Sequence, residues 1–225
     1  FVALPDAAVV VRGGVIRAAC SIDIYNKNIY FPDSMIKAIK KALRKKHIRF
    51  VKFTLVIFPT KESLSHVNAC VIDKKKKTIE RFEPYGLISP PTQSTIDHIF
   101  KHFVTQSIGI PTYIPPLDLS PAIGIQRKAD AFNGLCVSIT SMYFQMRIMN
   151  PDANPQAGIK ALLSMTKQEL QTLIKRFARM VEKKLKTNEK IVLKLDDKLF
   201  SGAKYRKSRN AEVTMTIKQF EKTLL

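Results

Sequence analysis

From Phe31 to Lys46 the apolar residues Met35, Ile36, Ile39, Ala42 and Leu43 recur at three- and four-residue steps with lysines between them. That spacing predicts an amphipathic helix capped by Asp33 or Ser34. The run IRFVKFTLVIFP is β-branched and aromatic, and predicts a buried strand over 48–59 that stops at Pro59. Two shorter apolar runs, HVNACVID and TIERFEP, follow on either side of four lysines and read as a hairpin. Beyond a Pro/Ser loop, Ile96, Ile99, Phe100 and Phe103 keep helical spacing, so Ser94 is read as a helix start with Asp97 in its capping box. TYIPP predicts a short edge strand ended by proline. GLCVSITSMYFQMRIMN is apolar nearly all round, which predicts a buried helix ended at Asn150-Pro151. A long helix or helix pair follows over 156–185. Thr166 and Glu169 form a capping box, and predict a break near Met165. The first thirty residues offer only a possible strand, Gly-Gly turn and strand in AAVVVRGGVIRAAC. The last forty offer two short strands, IVLKL and VTMTI, around the basic loop SGAKYRKSRN.

This order predicts an α+β domain, a small mixed or antiparallel sheet packed by helices. Three segments are expected: an N-terminal extension over 1–33, the domain over 34–185, and a basic C-terminal extension over 186–225. The 45% hydrophobic fraction supports a real core in a chain of 225 residues. No apolar run approaches the roughly 20 residues of a spanning helix, and no signal peptide is evident at the start. A soluble protein is expected. The opening residue is Phe rather than Met, which suits a fragment or processed product.

Composition narrows the chemistry. Cys20, Cys70 and Cys136 are odd in number, widely spaced and without a CxxC or zinc-type cluster. A disulfide framework or structural zinc is not expected, and a reducing compartment is. The net charge of +20 asks for an acidic partner. It is unevenly placed, since Ser34 to Lys61 holds nine basic residues and no acid.

The hairpin carries the first candidate pair. A two-residue turn at Lys74-Lys75 would set His66 directly opposite Glu83, with Asn68 and Arg81 on the same face and Val67, Ala69, Val71 and Phe82 on the other. A carboxylate there could hold one imidazole nitrogen and fix the tautomer of a general base. By itself the pair reads as a strand-end histidine beside a surface glutamate. It gains meaning only with a nucleophile. Cys136 stands in the first turn of the apolar helix, where the dipole and free N–H groups favour a thiolate and could hold an oxyanion. Cys20 and Cys70 lie in apolar surroundings and read as packing residues. Gln126 is either an ordinary polar loop residue or a second oxyanion donor.

Read together, HVNACVID, IERFEPYG, Gln126, GLC and MNP resemble the cysteine peptidases of the ubiquitin-like-protein-specific protease and adenovirus-endopeptidase type, above all versions found in large DNA viruses. The resemblance covers about residues 48 to 180. It implies a papain-like cysteine peptidase fold, a triad of Cys136, His66 and Glu83, and Gln126 in the oxyanion hole, with Asn68 a substrate-contacting or structural residue. It implies a polypeptide substrate of Gly-Gly type or with a ubiquitin-like tail, no cofactor and no metal, and a place in a virion or the cytoplasm of an infected cell. The alternative is a minor capsid or internal virion protein on a peptidase-like fold. Such a protein would bind nucleic acid or other virion proteins through the helix at 34–46 and the KYRKSRN loop.

Overall fold

A computed structural model describes residues 2–3, 20–59, 66–129, 135–187 and 214–216. The stretch AAVVVRGGVIRAAC, apart from Cys20, lies outside them, as do IVLKL and KYRKSRN.

The centre of the molecule is β4 (Phe50–Phe58), the strand expected from the longest β-branched run. Antiparallel β5 (His66–Asp73) pairs with it along its whole length. β6 (Thr78–Phe82) completes the hairpin, and the parallel β7 (Thr112–Ile114) forms the edge that Pro115 stops. On the other side of β4 lies β2 (Cys20–Asp23), parallel to it, then β3 (Asn28–Tyr30) and β8 (Thr214–Thr216). β1 (Val2–Ala3) pairs with β4 as well. The class is α+β with a mixed sheet, as expected, but among the described residues the sheet has eight strands rather than a few. The additional strands are β1, β2, β3 and β8, of which β2 and β3 form a hairpin. Its turn is built by Asp23, whose carboxylate accepts the Asn26 N–H, and by Lys27 at φ 55°. Cys20, Ile22 and Ile29 are buried in the shared core. The segment ahead of Ser34 thus contributes strands to the same sheet as the segment behind it.

Helices cover both faces. On one, α1 (Asp33–Arg44) and α2 (Pro90–His102) pack Met35, Ile39, Ile96, Ile99 and Phe100 onto Phe53, Leu55, Ile57 and Cys70. On the other, α5 (Leu135–Met149), α6 (Pro155–Ser164) and α7 (Lys167–Thr187) pack onto Phe50, Ala69, Val71 and Phe82. A strand covered on both faces reads as a continuous apolar run rather than an alternating one, which is why β4 was so legible. The break at Met165 and the Thr166–Glu169 capping box are both present.

Three local expectations are corrected. The cap of α1 is Pro32, not Asp33 or Ser34, and makes no side-chain cap bond. α2 starts at Pro90, because consecutive prolines fit the first turn, where no backbone donor is needed. Asp97 is therefore in mid-helix and takes other partners. It continues into a π-helical turn over Phe103–Ile108, closed by Gly109 at φ 86°. α5 is not buried all round: Val137, Ile148 and Met149 are exposed. The loop before it contains two short helices, α3 (Pro116–Leu119) and α4 (Ile125–Ala129). Among the described residues no helix is long and apolar enough to cross a membrane.

Candidate functional site

The hairpin turn has four residues, not two. Asp73 pairs with Thr78, the Asp73 carboxylate accepts the N–H groups of Lys75 and Lys76 at 2.9 and 3.3 Å, and Lys77 takes a left-handed φ of 54°. An aspartate that bonds its own downstream backbone favours this wider turn. The pairing therefore slips by two residues from the expected register. An even slip preserves the faces, so His66, Asn68, Arg81 and Glu83 still share one. It changes the partner: Ala69 pairs with Phe82, and the next position sets Asn68, not His66, against Glu83. The Asn68 amide donates to Glu83 Oε2 at 2.6 Å.

Glu83 is fully buried just past the end of β6. Its second oxygen accepts the Tyr85 N–H at 3.0 Å. Burial pushes its pKa up, while the His66 charge, the Tyr85 N–H, the Asn68 amide and the Arg81 charge hold it down, in that order. His66 opens β5 opposite Ile57, with its ring 5.4 Å from that of Tyr85. Its Nδ1 is buried without a hydrogen-bond partner. Among the described residues no hydrogen bond joins His66 to Glu83 or to Cys136. The expected direct bond is replaced by electrostatic reach.

Gln126 is brought in by a backbone zipper. Leu87 N–H donates to Ala122 O, Gly124 N–H to Tyr85 O, and Gln126 N–H to Pro84 O, at 2.8 to 3.0 Å. This ties the start of α4 to the two residues beyond Glu83. The Gln126 side chain is buried, and its Oε1 lacks a partner. Next in the chain, the Arg127 guanidinium lies over the Tyr85 ring at 5.3 Å.

Cys136 is the second residue of α5 and packs against Val56 and Val67. One turn on, the Thr140 hydroxyl donates to Val67 O at 2.9 Å. Val67 lies beyond the last β5–β6 pair, Ala69 with Phe82, so the hairpin ladder does not reach it. Burial pushes the Cys136 thiol up, the Val67 N–H pulls it down, and the Glu83 charge pushes it up. The N–H groups of Val137 and Cys136 itself also pull it down, but burial outweighs them and the thiol is raised, not lowered as expected at a helix start. Cys20 and Cys70 are fully buried, and burial raises both thiols further from reactivity.

The four expected residues thus gather at one end of the sheet: His66 at the start of β5, Glu83 past the end of β6, Gln126 zipped to Pro84, and Cys136 against Val67. The sequence reading missed what lies behind Glu83. Arg81 is fully buried, and all three of its nitrogens are engaged. Nη1 donates to Asn68 Oδ1 at 2.5 Å, Nε to the Tyr113 hydroxyl at 2.9 Å, and Nη2 to Asp97 at 2.7 Å. The Tyr113 hydroxyl also donates to Asp97, and the Gln93 amide holds that carboxylate's other oxygen. The available signal was the polar Asn68 and Arg81 inside otherwise apolar strands.

No family model matches the chain. A stretch of 67 residues is 34% identical to uncharacterized protein 082L of Invertebrate iridescent virus 3 and covers 28% of this chain. The match spans 41% of that curated relative's length. Among solved structures, the Chlamydia trachomatis effector protein Cdu1 bound to ubiquitin superposes with a TM-score of 0.49 at 13% identity, over 74% of this chain and 82% of that one. ChlaDub1 from Chlamydia trachomatis gives 0.44 at 12% identity, over 72% and 82%.

Proposed function

We propose that the chain is a cysteine peptidase or isopeptidase with a papain-like arrangement. Cys136 is the nucleophile, His66 its base, Glu83 the acid that stabilises the imidazolium, and Gln126 an oxyanion donor. The observation that carries this reading is the packing of Cys136, in the first turn of α5, against Val67, the β5 residue next to His66, with the carboxylate of Glu83 buried just past the end of β6. The thiol proton passes to His66, and the thiolate attacks the carbonyl carbon. The Gln126 amide and the Cys136 N–H hold the oxyanion. As the C–N bond breaks, the amine leaves with the proton from His66. Water, deprotonated by His66, then cleaves the thioester and restores the thiol. Burial pushes the Cys136 thiol up, and in this reading His66 acts on it as a general base.

A Gly-Gly-type or ubiquitin-like tail is the narrower substrate proposal. It rests on the resemblance of HVNACVID and IERFEPYG. A viral setting belongs to the same proposal, supported by the iridescent-virus match. Labelling by a ubiquitin-type probe with a thiol-reactive C-terminus, lost in Cys136→Ala, is the test. Equal labelling of that variant would refute the assignment of the nucleophile.

A second, compatible reading has its own observation. Lys37, Lys40, Lys41, Arg44, Lys45 and Lys46 are exposed on and just after α1. The Lys74 ammonium donates to Lys45 O, which joins the lysine turn to that helix end. Such a surface suits an acidic partner. Binding to DNA that fails to weaken as salt rises would count against it.

A further inference from the structure

The polar chain behind Glu83 has no counterpart in an ordinary hairpin. Asn68 stands between two opposite charges and shows each the appropriate end: its N–H group meets the Glu83 carboxylate and its carbonyl meets the Arg81 guanidinium. The reverse orientation would set donor against donor. Arg81 cannot turn away, because Tyr113 of β7 and Asp97 of α2 hold its remaining nitrogens. Glu83 is therefore fixed on one side by a buried amide with a buried cation behind it, and on the other by the Tyr85 N–H. The charged groups that act on it are His66 from β5 and Arg81 from β6, while Glu83 in turn acts on Cys136 of α5, and Arg127 of α4 is seated over Tyr85.

We infer that Asn68 and Arg81 are positioning residues of the proposed site, which orient the Glu83 carboxylate and hold it in its anionic form as the counter-charge for His66. This deepens the peptidase reading and rests on it. Without the relay a carboxylate in this position, taken from water, prefers its neutral form. A neutral Glu83 cannot stabilise the imidazolium, so His66 takes the thiol proton less readily.

Alkylation of Cys136 by iodoacetamide, located by mass spectrometry and followed against pH, tests this without a known substrate. Asn68→Leu removes both amide bonds at similar volume. Asn68→Asp keeps an acceptor for Arg81, and so the support of the fold, but sets an acceptor against Glu83. Each is expected to slow alkylation at pH 7 by about tenfold and to move the acid limb of the profile down by about one pH unit, the scale of losing one close counter-charge. Thermal melting identifies the folded variants. His66→Ala is the control that separates the two claims. If it alkylates like the parent, the role of His66 falls and the inference falls with it. If it is slowed while folded Asn68→Asp keeps the parent profile, the relay is structural only and the inference alone is overturned.

Discussion

Gly86 and Gly124 cross backbone to backbone. A Cβ on Gly86 would fall inside 3.0 Å of Ala122 O and Gly124 N, and one on Gly124 inside 3.0 Å of Gly86 N and Pro84 O. Gly86 also holds a φ of 96°, which L side chains rarely adopt. Gly124→Ala must push the two segments apart at the point where the zipper places Gln126. The expected cost is about 1–3 kcal/mol of stability, read by urea unfolding. A larger fall in turnover than in stability is expected, because Gln126, two residues on at the start of α4, shifts with Gly124.

Gln126 itself is expected to matter only where an oxyanion forms. Gln126→Ala should lower kcat on a ubiquitin-type fluorogenic substrate by about a hundredfold or more, the scale of losing one oxyanion donor. Alkylation of Cys136 by iodoacetamide creates no oxyanion, so its rate should stay at the parent value. A matching fall in both would mean that Gln126 acts on the thiol instead.

These two positions show where the sequence was legible. The helical spacing of Ile96, Ile99 and Phe100, the run of β4 and the Thr166–Glu169 box are local patterns, and local physics settled them. The register of the hairpin depended on one side chain, Asp73, choosing its own backbone over a tighter turn. Nothing local to Gly124 marks it, because its reason is a crossing with a residue 38 positions earlier. The His66–Glu83 face was read correctly, since an even slip leaves faces intact, while the partner of Glu83 was not. The buried Arg81 network is hidden for a similar reason: the spacing from Ser94 presents Asp97 as a capping residue, and only the packing of α2 against β6 and β7 reveals its partners.

Thr140 offers a test of how α5 is held to β5. Its hydroxyl is the partner of the buried Val67 carbonyl. Thr140→Val keeps the shape and leaves that carbonyl unpaired, at a cost of about 1–3 kcal/mol. Because Cys136 lies one turn away on the same face of the helix, the variant is also expected to slow Cys136 alkylation while leaving the far end of α5 unchanged. Hydrogen exchange of α5 amides checks this: faster exchange confined to the first two turns is the expected result.

The acid–base balance of Glu83 predicts a dependence of stability on pH. Its pKa in the folded protein is raised, first by burial, with His66, Tyr85, Asn68 and Arg81 opposing. A carboxyl raised on folding adds stability that is fully present below its unfolded value and is lost as pH rises through the folded one. Each unit of displacement is worth about 1.4 kcal/mol. Glu80 is raised in the same sense, again by burial, against the pull of Arg147 at 2.5 Å. It is present in both parent and Glu83→Gln and cancels in their difference. Urea unfolding from pH 4.5 to pH 8 should therefore show the parent losing stability relative to Glu83→Gln as pH rises. A difference that stays flat over that range would mean that the relay through Asn68 and Arg81 fully offsets the burial of Glu83. A difference of the opposite sign would mean that it more than offsets it, with the carboxylate held below its ordinary value.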